Sequence, residues 1–243
     1  MAEEKPKEKI TNQDIYSKYL NNGFFEINNK DTAILLLHGY VQTSKIYRPY
    51  IEKLKECGDL FVPTLKGHFE SNIVDIKDYK DLLQPNFELA KLLKEKYKKV
   101  ILVGYSLGGV ISIYLASKIK PDKLILISTP IDYNYEEFKI SAKYLIENLK
   151  NIKTNNQKPS LTKYLEMYKL SLETKRQLSK IDCNILCMHG DKDNFVLLSQ
   201  SYYILTHIRS ISRELYILKE INHYALEHHE LILPKLIEYI TRH

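Results

Sequence analysis

The sequence predicts an α/β protein with a mostly parallel central sheet and helices on both faces. Three observations carry this reading. Short apolar runs recur at residues 33–37, 60–62, 100–103, 124–127, 185–188 and 215–218. Apolar residues at helical spacing lie between them, as in 87–93 and 231–240. The runs are apolar throughout rather than alternating, as strands are when both faces are covered.

Composition narrows the class. A chain of 243 residues can bury one large core, and 44% of them are hydrophobic. No internal repeat is visible. Cys57, Cys183 and Cys187 form neither a disulfide framework nor a zinc pattern and fit a reducing compartment. The first ten residues are charged and lack the apolar segment of a signal peptide. No apolar run approaches the roughly 18 residues of a membrane span, so a cytoplasmic protein is expected. The net charge of +6 comes from lysines scattered over helix faces. Nucleic-acid binding needs clustered charge, so that class is excluded, and only a weak attraction to anionic lipid surfaces is left.

Residues 1–22 are polar and read as an N-terminal extension, either a tail or a peripheral helix anchored by Tyr16, Tyr19 and Leu20. Residues 23–131 and 181–243 read as the α/β core. Within it, the apolar run 33–37 ends in His38-Gly39-Tyr40.

The run 100–103 leads into Gly104-Tyr-Ser-Leu-Gly108, and a helical pattern follows from Val110. A serine at such a strand-to-helix turn sits on strained backbone, and only small residues two places before and after it allow the close passage. The turn lifts the Ser106 hydroxyl above the sheet. The helix starting at Leu107 points the positive end of its dipole at any oxyanion formed there. A plain glycine-rich turn is the competing reading, and the flanking strand and helix favour the nucleophile.

A serine nucleophile needs a base, and the base needs an orienting acid. The order serine, acid, histidine is available. Asp191 and Asp193 follow the run 185–188. Asp193 lies three residues before Val196 in a Gly-x-x-Asp-x-x-Val arrangement and is preferred, while Asp191 is read as bracing its own turn. His223 follows the run 215–218, with room for one helix and one strand between it and Asp193. His228 and His229 are adjacent on a helix and diverge too far to chelate one metal well. His207 and His243 read as surface residues. An oxyanion needs two amide donors. Leu107, next to the serine, offers one, and Tyr40, after His38-Gly39, offers the other. His38 is expected to pack beneath that loop and hydrogen-bond backbone.

Residues 132–180 break the alternation. Phe138, Ala142, Leu145, Ile146 and Leu149 recur at helical spacing, and Leu161, Tyr164, Leu165, Tyr168 and Leu172 do so again. These are expected to form a small helical cap over the sheet's carboxyl edge. The alternative is a helical pair packed on the core with no part in binding. Tyr40, Leu145, Met167 and Phe195 are the expected pocket lining.

The chain from about residue 23 to 240 resembles the α/β-hydrolase superfamily, and within it the small bacterial carboxylesterases and monoacylglycerol lipases. The resemblance is carried by Gly23-Phe-Phe-Glu26, Leu36-Leu-His-Gly-Tyr40, Pro63-Thr-Leu-Lys-Gly-His68, Gly104-Tyr-Ser-Leu-Gly-Gly109, Gly190-Asp-Lys-Asp193 and Asn222-His223. Phe69 departs from the family, where a glycine usually follows the histidine, and this leaves the shape of that loop open. The resemblance implies an α/β-hydrolase fold, a Ser106–Asp193–His223 triad and an oxyanion hole from the Tyr40 and Leu107 amides. The expected substrate is a small-molecule acyl ester of short to medium chain, or a monoacylglycerol, with no metal or organic cofactor. A thioesterase or acyltransferase on an acyl carrier, and a silent hydrolase fold used for binding, are the alternatives.

Overall fold

In the computed structural model, which describes residues 12–40, 42–68, 76–132 and 161–242, seven strands form one sheet. They are β1 (Phe24–Glu26), β2 (Thr32–Leu37), β3 (Asp59–Val62), β4 (Lys99–Tyr105), β5 (Lys123–Ile127), β6 (Asn184–Gly190) and β7 (Arg213–Leu218). Their order across the sheet is β1-β3-β2-β4-β5-β6-β7. β1 runs antiparallel to β3, and every other pairing is parallel. The expected mostly parallel sheet is therefore present, and each of the six apolar runs lies inside a strand. β1 was not anticipated. Three residues are too few to show a period, and the strand exists because β3 offers it an edge, with Phe24 opposite Val62 and Glu26 opposite Leu60.

Side chains sort by the two-residue period of the strand. Ala33, Leu35 and Leu37 enter one apolar core with Val100, Leu102, Leu124, Leu126, Ile185 and Cys187. Ile34 and Leu36 enter a second with Ile101, Val103, Ile125, Ile127, Leu186 and Met188. This explains why the runs in β2 to β6 are apolar at every position, since both faces are covered; on the edge strand β7 the expectation fails, and Tyr216 and Ile217 stay exposed.

The first core is closed by helices α1 (Asn12–Leu20), α3 (Lys80–Lys96), α4 (Leu107–Ile119), α5 (Leu161–Lys175) and α6 (Ser199–His207). The second is closed by α2 (Arg48–Leu54) and α7 (His229–Thr241). Tyr16 and Leu20 of α1 are buried, and Tyr19 is half-buried. α4 is apolar nearly all round because it is enclosed by the sheet, α3 and α5. Lys123 reaches the end of α7, where its ammonium donates to the carbonyls of Tyr239 and Ile240 and complements the negative helix terminus.

The chain leaves β5 toward the insertion under firm control. Gln200 on α6 accepts from the Ile131 and Asp132 amides at 2.9 and 2.6 Å and donates to the Asp132 carbonyl at 2.5 Å. Lys175, at the end of α5, pairs with the Asp132 carboxylate at 2.5 Å. The expected helix over 138–149, with Leu145, and the loop following His68, with Phe69, lie outside the described residues, as does His243. Among the described residues no helix is long and apolar enough to cross a membrane.

Candidate active site

Ser106 joins β4 to α4 with φ 51° and ψ −115°, a left-handed conformation that a non-glycine residue adopts only under constraint. The constraint is visible. The Ser106 amide donates to the Ile127 carbonyl of β5 at 2.9 Å, and the Ser106 carbonyl accepts from Gly109 and Val110 at 2.9 and 3.2 Å. The flanking glycines are required by contact. A Cβ on Gly104 would lie 2.4 Å from the Gly108 carbonyl oxygen, across the turn. A Cβ on Gly108 would lie 2.1 Å from the Leu37 carbonyl oxygen. The second glycine thus makes room for the end of β2, a neighbour that the pentapeptide alone does not reveal.

Three strand ends bring Ser106, Asp193 and His223 together. His223 Nε2 is 3.2 Å from Ser106 Oγ, and His223 Nδ1 is 2.8 Å from Asp193 Oδ2. All three side chains are largely buried. Asp193 shapes its own loop: its Oδ1 accepts the amides of Phe195 and Val196 at 3.0 and 2.8 Å. Burial works against the Asp193 charge. Hydrogen bonds from His189 and His223, the His223 charge and the Val196 amide outweigh it and hold the carboxyl well below the usual carboxylate range. His223 is walled by the Phe195 ring edge at 4.7 Å, and its carbonyl accepts the Tyr105 hydroxyl at 2.8 Å.

Asp191 stands elsewhere. It is exposed, and its Oδ1 accepts the Glu220 amide at 2.7 Å. It therefore braces the loop that carries His223 rather than its own turn. The sequence could not show this, because the partner comes from the next strand's loop.

Leu107 is the first residue of α4, so its amide has no acceptor within the helix. The Gly39–Tyr40 loop is held by His38, which donates from Nδ1 to the Gly39 carbonyl at 2.8 Å and accepts the Leu65 amide at Nε2 at 2.9 Å. Burial, aided by the neighbouring His68, drives the His38 pKa down to about 3, and burial drives that of His68 down to about 4. Both rings are neutral supports of the loop, and the His68 ring meets Tyr40 edge-on at 5.9 Å. Tyr40 and Met167 are half-buried and pack against the first core. Leu145 lies outside the described residues.

His189 is the residue that sequence reasoning passed over. It is fully buried at the end of β6, with Nε2 2.8 Å from the Val196 carbonyl and 3.4 Å from Asp193 Oδ2. The available signal was an imidazole ending an apolar run four residues before the acid. His228 and His229 lie at the surface, each 3.6 Å from Glu230.

The profile of the serine aminopeptidase S33 family matches residues 28–163, more than half of the chain. The chain belongs to this family. The matched stretch includes β2, the elbow and α4, so the family assignment covers Ser106 and not Asp193 or His223. Over 239 residues this S33-family chain is 26% identical to the thermostable monoacylglycerol lipase of Bacillus sp. (strain H-257), covering 90% of this chain and 94% of that one. Among solved structures, one described as LipS and LipT, two metagenome-derived lipolytic enzymes, matches with a TM-score of 0.75 at 17% identity, over 92% of this chain and 100% of the other. The monoacylglycerol lipase of Paleococcus ferrophilus matches with a TM-score of 0.67 at 15% identity, over 89% and 96%. These likenesses, spanning nearly the whole of each chain, establish the α/β-hydrolase fold.

Proposed function

We propose that this S33-family protein hydrolyses carboxylic esters, short- to medium-chain acyl esters or monoacylglycerols, through an acyl-enzyme on Ser106. The observation that carries the reading is the continuous contact from Ser106 Oγ through His223 to Asp193 at 3.2 and 2.8 Å. His223 Nε2 takes the serine proton as Oγ attacks the carbonyl carbon. The proton passes to the leaving alcohol as the C–O bond breaks. Water then attacks the acyl-enzyme by the same route and restores Ser106. Asp193, held as a carboxylate, fixes the imidazole tautomer and stabilises the imidazolium. The amides of Tyr40 and Leu107 receive the oxyanion, worth roughly 10²–10³-fold per donor in related chemistry. Met167, on the described part of the 132–180 insertion, lines the acyl chain as a cap residue with Tyr40 and Phe195.

The relatives that span nearly the whole chain include a monoacylglycerol lipase, which supports an ester over the amide that the family's description names. The same triad can cleave either bond, so substrate decides. The test uses a fluorophosphonate probe together with p-nitrophenyl esters and monoacylglycerols of C2 to C16 and an aminoacyl p-nitroanilide. Labelling at Ser106, with ester turnover lost in Ser106→Ala by about 10⁴-fold or more, is the expected outcome. Anilide turnover exceeding ester turnover assigns a peptidase instead, and unlabelled protein overturns the catalytic reading.

A further inference from the structure

We propose that His189 is a second histidine of the site, a positioning residue that holds the Asp193 carboxylate in the orientation His223 requires. The inference rests on the triad reading above and assigns a role to a buried group which that reading does not use.

His189 Nε2 faces two acceptors, the Val196 carbonyl at 2.8 Å and Asp193 Oδ2 at 3.4 Å. Neither can donate, so Nε2 carries the proton. Nδ1 lies 2.7 Å from the Ser201 hydroxyl on α6. Nδ1 is then the acceptor, and the Ser201 hydroxyl donates to it. One direction runs through the chain: Ser201 to His189, and His189 to the Val196 carbonyl and toward Asp193 Oδ2 at 3.4 Å.

This arrangement grips Asp193 from both sides. His189 meets Oδ2 directly, on the same oxygen that accepts from His223 Nδ1. It also pins the Val196 carbonyl, and the Val196 amide holds Oδ1 at 2.8 Å. The carboxylate therefore cannot rotate without breaking the His189 contact or the loop that His189 fastens. Among the described residues, the ionisable groups near Asp193 and His223 include Tyr105, kept protonated by burial, with Tyr224 and Glu227 close to it. Tyr105 acts on the His223 carbonyl and leaves the imidazole nitrogens to Ser106 and Asp193.

A histidine that merely fills the core would alter stability alone. The distinguishing experiment compares His189→Leu and His189→Gln by kcat and KM on a p-nitrophenyl ester, by the pH profile of kcat/KM and by urea unfolding. In His189→Leu, kcat is expected to fall about 10- to 100-fold, the loss of a hydrogen bond to a charged acceptor, while KM stays within about 2-fold. The acidic limb of the profile moves to higher pH, because Asp193 with one donor fewer pairs more strongly with the imidazolium. His189→Gln, whose amide N–H reaches the Nε2 position, recovers most of kcat and returns the limb. A folded His189→Leu with wild-type kcat and an unmoved limb overturns the proposal, whatever its stability. Should His189→Leu fail to fold, Ser201→Ala removes the Nδ1 partner instead: a raised acidic limb supports the proposal and an unmoved one overturns it. Wild-type protein without ester turnover or probe labelling defeats the triad reading itself. Active wild type with unaffected variants defeats only the role of His189.

Discussion

The elbow around Ser106 and the loop around Asp193 each present one side chain to His223, yet they are held by different means. Ser106 is fixed by backbone: a left-handed φ, three main-chain hydrogen bonds, and glycines whose missing Cβ atoms let β2 and α4 close in. Asp193 is fixed through its own side chain, which accepts two amides of its loop and meets two imidazoles. At the elbow, the shape survives loss of the functional atom and fails when a glycine gains a methyl group. In the acid loop, shape and charge are carried by the same atoms, so a change to the carboxylate disturbs both.

The sharpest way to break this contrast is to exchange Asp193 for its amide. Asp193→Asn is expected to lower kcat by about 10³–10⁴-fold, because the amide favours the wrong His223 tautomer. Asp191→Asn, which only loosens the Glu220 contact, is expected to cost far less. The reverse ranking, read from steady-state ester hydrolysis, would move the acid to Asp191 and dissolve the comparison.

Gly108→Ala tests the elbow from the other side. The new Cβ would press on the Leu37 carbonyl, and overpacking of this kind costs about 1–3 kcal/mol or more. Urea unfolding should show the loss. An alanine variant of wild-type stability would mean that the elbow is not held by close packing.

The effect of pH separates the regions by charge. His38 and His68 have folded values near 3 and 4, below the unfolded value of about 6.5. The unfolded chain therefore binds more protons as pH falls below about 6.5, and stability declines through that window. Asp193, depressed in the folded state, adds a further decline below its unfolded value of about 3.9. Asp193→Asn should keep the first decline and lose the second. A Ser106→Ala variant should keep both. Chemical denaturation from pH 7 to pH 3 measures this, and an unchanged lower limb in Asp193→Asn would remove the charge from the account of the acid loop.

The smallest expected effect concerns α5, the described helix of the insertion, and its residue Met167. Each buried methylene contributes about 0.8 kcal/mol, so kcat/KM should rise several-fold per two carbons until the pocket is full. Met167→Phe should then shift the preferred acyl length downward by a few-fold in relative kcat/KM. A profile flat from C2 to C10 and unmoved by the substitution would make α5 a packing helix of the core.

Six strands and the tight turn at Ser106 could be read from the chain because each rests on neighbouring residues. An apolar run says that a segment is a strand, though at the sheet edge, as in β7, it does not say that both faces are covered. Gly104 and Gly108 around Ser106 say that a turn is tight. The Gly190-x-x-Asp193 spacing ranks one aspartate over another within four residues. β1 carried no such local signal, since it is three residues long and exists through its pairing with β3. The partner of Asp191 and the task of His189 were likewise hidden, because both depend on groups that arrive from other elements.

Taken alone, the amino-acid order determined where the chain extends, where it coils and which side chains are chemically able to act, for these follow from sterics and periodicity within a few residues. Only the tertiary structure decided that Ser106 and His223, 117 positions apart, stand 3.2 Å from one another, and that His189 turns onto Asp193 rather than into the apolar core. The physical reason is register. Parallel pairing of β4, β5, β6 and β7 sets all four carboxyl ends at one edge, and a contact between loops on that edge is specified by the whole sheet, not by the residues that make it.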